Sequence, residues 1–294
     1  MTEHHPQLQL RPLQFHLDAE PSTWHGAGRD ISLFFNVLST FFPEGEKFFI
    51  QSAQYYRDRI EDPQLKEDLR LFSGQEGLHR REHDRYNERL QEAGYPTKML
   101  DRRVHRNLVL MHRWASPRRQ LAMTCALEHF TAVLADALLS DERIIENSDP
   151  GYAAIWRWHA IEETEHKAVC YDIYQAVGGG WLLRSFVMLT TTLGFLTTIL
   201  YHMHVFLKAE GRAWRPGPWW NVFHWLWVRP GAAWRAAWNY LQYYKPGFHP
   251  WQHDNHHHLD RFYEGYADFV AAVERAPAQS SATNGGGAEE SPSP

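Results

Sequence analysis

The stretch WHAIEETEH, residues 158–166, sets two histidines and three glutamates within nine positions. At about 100° per residue, His159, Glu163 and His166 fall within roughly 60° of one another on a helix, so all three can face one cation. Similar groups recur along the chain. After Pro63 a helical stripe runs Leu65, Leu69, Phe72, Glu76, His79, His83, Tyr86, Leu90, in alternating steps of four and three. Its ends are apolar and its middle is a carboxylate with two imidazoles. After Pro117 the stripe is Leu121, Cys125, Glu128, Ala132, Ala135, Leu139, and after Pro150 it is Ile155, His159, Glu163, His166, Cys170, Ile173. The first long helix offers Glu46 in the same way.

A carboxylate buried without compensation is very costly, so several on facing helices imply a cation that cancels their charge. One Glu from each of two helices plus a Glu-x-x-His from each of two others is the ligand pattern of carboxylate-bridged di-metal sites in ferritin-like four-helix bundles. Glu46, Glu76–His79, Glu128 and Glu163–His166 supply it in the order Glu, ExxH, Glu, ExxH. With His159 the expected metal ligands number seven. Three imidazoles and four carboxylates favour redox-active metals over Ca²⁺ or Mg²⁺, so two iron ions are expected, with manganese or zinc as the other candidates. His83, His129 and Glu162 are expected to support the ligands by hydrogen bonds from behind. Glu44, one residue into the same helix, suits the positive end of the helix dipole. Cys125 and Cys170 read as small core residues, and the run HHH at 256–258 as surface histidines.

The elements that must hold these groups read as all-α. Residues 1–28 form a loosely packed N-terminal arm. A ferritin-like four-helix bundle is expected over 29–178, its helices starting near Pro43, Pro63, Pro96, Pro117 and Pro150, where a fixed φ suits the first turn. An apolar, Trp-rich helical appendage follows over 181–275, and 276–294 has the composition of a disordered tail. A net charge of −5 gives no reason to expect nucleic acid. Two cysteines fit a reducing compartment, and no secretory leader precedes the bundle, so the cytoplasm is expected. Residues 185–207 lack Asp, Glu, Lys and Arg throughout and are long enough to cross a bilayer. Against spanning stand five threonines, two histidines and a glycine. The Trp- and Tyr-dense segment that follows resembles an interfacial belt and carries too many charges to span. Attachment to the inner membrane through 185–207 and a soluble appendage are both open. The oligomeric state is not readable.

The segments FFNVLSTFFPEGEKFFIQS, FSGQEGLHRREH, ALEHFTAVLADALL, WRWHAIEETEHKAVCYDIY and KPGFHPWQHD resemble a bacterial family catalogued as predicted metal-dependent hydrolases, over about residues 8–255. The metal set is also similar to that of non-haem di-iron N-oxygenases, in which a His precedes the last Glu-x-x-His by four, as His159 does. That resemblance implies Glu46, Glu76, His79, Glu128, His159, Glu163 and His166 as ligands and implies no substrate. The leading expectation is an oxygenase or oxidase in which a di-iron pair, an electron donor and O₂ oxidise a hydrophobic small molecule. The alternatives are a metal-dependent hydrolase using a metal-activated water, and a non-catalytic metal-binding bundle.

Overall fold

The structure, a computed structural model, describes residues 6–275; the tail expected over 276–294 lies outside them. Twelve α-helices and three short 3₁₀ turns are present, and no strand occurs among the described residues. In chain order they are α1 (Arg29–Ser39), α2 (Phe42–Gln54), α3 (Pro63–Glu92), α4 (Thr97–Trp114), α5 (Pro117–Ser140) and α6 (Pro150–His166). After these come α7 (Val169–Ala176), α8 (Trp181–Ala209), α9 (Pro216–Trp227), α10 (Ala232–Gln242), α11 (His256–Glu264) and α12 (Tyr266–Glu274). The all-α expectation holds.

The helix starts follow local chemistry. Pro63, Pro117 and Pro150 open α3, α5 and α6, and the residue before each caps it. Asp62 accepts from the amide of Gln64, Ser116 from that of Arg119, and Asp149 from those of Gly151 and Tyr152. Gly94, at φ +93, allows the tight turn between α3 and α4. The stripe read as one helix from Pro150 through Ile173 is interrupted at Lys167–Ala168, directly after His166.

Two apolar clusters flank a polar layer. Leu65, Leu69 and Phe72 of α3 join Phe48, Phe49, Leu121, Cys125 and Ile173 in one, whereas Tyr86 and Leu90 join Leu33, Phe35, Tyr152 and Trp156 in the other. Each such large side chain, fully buried, contributes about 1.5–3 kcal/mol. Between the clusters α3 carries Glu76, His79 and His83. The helix therefore holds its polar middle inside by anchoring both ends in apolar surroundings. Helix α5 lies against α2, α6, α7, α8 and α10, and α3 against α2, α6 and α7.

The N-terminal arm is not loose. Leu8, Arg11, Leu13 and Phe15 are buried. The arm fits into notches left by glycines: a Cβ at Gly151 would come within 1.8 Å of the His16 carbonyl oxygen, and one at Gly74 within 2.5 Å of the Leu10 side chain. An irregular segment has no periodicity, so sequence patterning could not show this docking. The histidine run also departs from expectation. His258 is buried, its Nε2 lying 3.1 Å from Ser140 Oγ and 3.5 Å from Asp136 Oδ1.

Candidate metal centre

Helices α2, α3, α5 and α6 bring Glu46, Glu76, His79, Glu128, His159, Glu163 and His166 together in the polar layer, and all seven are buried. Ligand atoms lie within 4.8 Å of one another in the sets Glu76, Glu128, His166; Glu46, Glu76, His79; His79, His159, Glu163; and Glu46, His83, His159. Glu76 and Glu163 sit between the others. Glu163 Oε1 is 2.9 Å from His159 Nε2 and 3.9 Å from His79 Nδ1, while its Oε2 is 3.4 Å from His166 Nε2. Glu76 Oε1 is 3.2 Å from His166 Nε2 and 4.0 Å from His79 Nδ1.

Each imidazole is held from behind. His79 Nε2 meets Glu162 Oε2 at 2.9 Å, and Trp158 and Arg11 donate to the other Glu162 oxygen. His166 Nδ1 meets Gln75 Oε1 at 3.0 Å, and His159 Nδ1 meets His83 Nε2 at 2.8 Å. His83 is itself fixed by Ser39 Oγ at 2.9 Å. Such contacts fix the tautomer and aim the opposite ring nitrogen inward. That inward nitrogen has no hydrogen-bond partner in His79 (Nδ1) or His166 (Nε2), nor has either oxygen of Glu46, Glu76 or Glu128.

Two like charges about 4 Å apart repel by about 4 kcal/mol at an effective dielectric near 20. Burial, reinforced by neighbouring glutamates, pushes the Glu46, Glu76 and Glu128 carboxyls well above their usual range. Burial acts on Glu163 too, but His166 and His159 outweigh it and hold that carboxyl well below. Burial, then His159, depresses His79 and His83. Clustered acids with orphaned oxygens, facing orphaned imidazole nitrogens, are what divalent cations would satisfy. The residues fit a metal.

Of the supporting groups expected from sequence, Glu162 and His83 take that position, whereas His129 does not. Its Nε2 lies 3.1 Å from the Asn239 carbonyl and its ring packs against Tyr243 and Phe248. Glu44 stays outside the cluster and meets His105 Nδ1 at 2.7 Å. Sequence reasoning missed Gln75, Glu165, Arg11 and Tyr263. Arg11 grips Glu165 with two nitrogens, at 2.6 and 3.0 Å, while Gln75 (2.8 Å) and the Tyr263 hydroxyl (2.6 Å) donate to the same carboxylate. Gln75 could have been flagged by its place beside Glu76. Arg11 gives no such signal.

A cavity of about 400 Å³ leads to the centre and reaches Glu46, His159 and Glu163. Its walls are mostly apolar, with Phe42, Phe49, Leu127, Phe130 and Phe195 among them, and Thr131, also on the wall, donates to Glu163 Oε2. The solvent-exposed lining residues Asn107 and Met111 of α4, Leu134 of α5, and Thr190 and Gly194 of α8 place the mouth between these helices.

No curated protein and no solved structure matches the chain, and the likeness to di-iron N-oxygenases is carried by none of these comparisons. A family model does match, over residues 9–254, and its description overturns the expected O₂-activating chemistry in favour of hydrolysis. Both chemistries would use the same ligands, so the residues alone could not separate them. By that match over most of its length, the chain belongs to the family of predicted metal-dependent hydrolases.

Proposed function

We propose that the protein hydrolyses an apolar substrate at a two-metal centre. Glu46, Glu76, His79, Glu128, His159, Glu163 and His166 would hold the ions, with Glu76 and Glu163 central among them. Three imidazoles with four carboxylates suit zinc, manganese or iron. Such ions supply a water acidic enough to yield hydroxide near neutral pH and polarise the bond under attack. The observation that carries the reading is the layer of unpartnered, inward-turned ligand atoms at the end of an apolar cavity.

The chain's own residues divide the remaining work. Glu162, Gln75 and His83 fix the imidazoles, and the apolar walls exclude bulk water and orient the substrate's hydrocarbon part. His159 and Thr131 restrain Glu163. Glu46 also borders the cavity, and the oxygen that the ion leaves free would be placed to take up a proton.

The reading is tested with acyl esters of increasing chain length. Hydrolysis should rise with chain length, vanish on chelation and return with added metal. Protein that binds two ions per chain yet cleaves no ester, amide or phosphoester with zinc, manganese or iron would overturn it. Substituting Gly194 at the cavity mouth by Phe should raise KM for long esters while leaving metal content intact.

A further inference from the structure

Among the described residues, sixteen of the twenty-five exposed large apolar side chains lie between Trp181 and Leu241, so the apolar exposure is concentrated, not scattered. On α8 they form one stripe, Leu182, Phe186, Leu189, Leu193, Leu196 and Leu200, in steps of four and three along the helix. Trp220, Phe223 and Trp227 continue the exposure on α9, and Trp234, Trp238 and Leu241 on α10. Helix α4 adds Leu110 and Trp114. The same region is cationic. Residues 181–253 contain seven Arg or Lys against Glu210 alone, a formal charge of +6 in a chain whose net charge is −5. Lys208, Arg215, Arg229 and Lys245 are exposed there.

We propose that α8, α9 and α10, with the adjoining end of α4, form a face that docks on an anionic lipid bilayer. Exposed tryptophans flanked by Arg and Lys suit the interface between headgroups and acyl chains, and the positive charge suits anionic headgroups. Helix α8 lies in the membrane plane. Among the described residues, helices α5 and α8 are the two long and apolar enough to cross a bilayer, but α5 is a core helix. Helix α8 is held along its length by α10 and the segment after it and by the turns that follow α1 and α3. Arg184 donates to the Lys245 carbonyl, Thr192 meets Tyr240 at 2.9 Å, His202 meets Thr40 at 2.8 Å, and Phe206 stacks on Tyr95. Crossing the bilayer would break the contacts to Thr40 and Tyr95 and the packing of α8 on α1 and α5. A second copy of the chain fits the face less well, since a two-fold interface would set this cationic patch against itself. The cavity mouth is bordered by α4 and α8, so an amphiphile in the leaflet has a short route inward. That last consequence rests on the proposed hydrolytic function; the docking itself does not.

The test is flotation of the full-length protein with vesicles of phosphatidylcholine alone or mixed equally with phosphatidylglycerol. The protein should float with the mixed vesicles, at least about tenfold more than with phosphatidylcholine, and salt should weaken it. The double substitution Leu189→Glu with Leu193→Glu should cut binding at least about tenfold while circular dichroism and metal content stay unchanged. Lys208→Glu with Arg215→Glu should lower binding to the mixed vesicles only. Failure to float with either vesicle overturns the proposal, as does a dimer that Leu193→Glu dissociates in a protein that binds no vesicle. Retention on membranes through alkaline carbonate would overturn the in-plane geometry. Because flotation is read without turnover, a protein that floats but hydrolyses nothing keeps this proposal and loses the catalytic one.

Discussion

The polar layer of α2, α3, α5 and α6 and the outer surface of α8, α9 and α10 invert the usual arrangement of a water-soluble protein. Inside are four carboxylates and three imidazoles without exposure to water; outside is a stripe of Leu and Phe with half or more of each side chain exposed. Each region is incomplete in the same sense. The inner one holds charge that only a cation balances, and the outer one shows apolar area that water does not favour. The contrast teaches that residue type and helical spacing together mark a stripe but do not set its burial: both stripes advance in steps of three and four, and what packs against each decides which one faces inward.

The largest effect should come from removing a proposed inner ligand. Glu76→Ala should lose metal by elemental analysis and lower hydrolysis by about a thousandfold or more. A subtler variant tests the sign of the inner charge. In chelated protein Glu128→Leu should raise the melting temperature by a few degrees, because a buried carboxyl whose oxygens have no partner, costing about 1–3 kcal/mol, is removed; with metal supplied, the same variant should be the less stable. The seam between the two regions is sensitive to acid. Burial, aided by Arg103, lowers His202 from 6.5 to about 4. A depressed histidine contributes stability that is present above about pH 6.5 and lost as pH falls towards 4, up to about 3 kcal/mol here. Thermal melts of His202→Phe should therefore be flatter than wild type over that window. Behind the ligands, Gln75→Leu should weaken metal binding about 10- to 100-fold in competition titrations while leaving the ligand set in place. The smallest effect belongs to the outer face: Leu193→Ser should change unfolding free energy by no more than about 0.5 kcal/mol. A large loss there would mean that the stripe is packed and the comparison false.

Much of the inner region was legible because a helix face is written in steps of three and four. Glu46, Glu76, Glu128 and Glu163 stand where an apolar residue is due, and that misfit located them. His129 shows the limit: it follows Glu128 directly, about 100° around α5, so it points towards α10 and not into the centre. The clasp on Glu165 was not legible, since Arg11 and Tyr263 lie 154 and 98 residues from it and meet only after the chain has folded. Nor could the reaction be read from the ligands, because redox and hydrolytic centres share them.

That clasp has a practical consequence for anyone handling the protein. Arg11 comes from one end of the chain and Tyr263 from the other, and the Arg11 guanidinium also rests against Phe262 and Tyr266. Dye labels placed near Leu8 and Tyr266 would therefore read out, by energy transfer, whether α6 is seated, whereas clipping the first fifteen residues during preparation would loosen His79 and His166 at once.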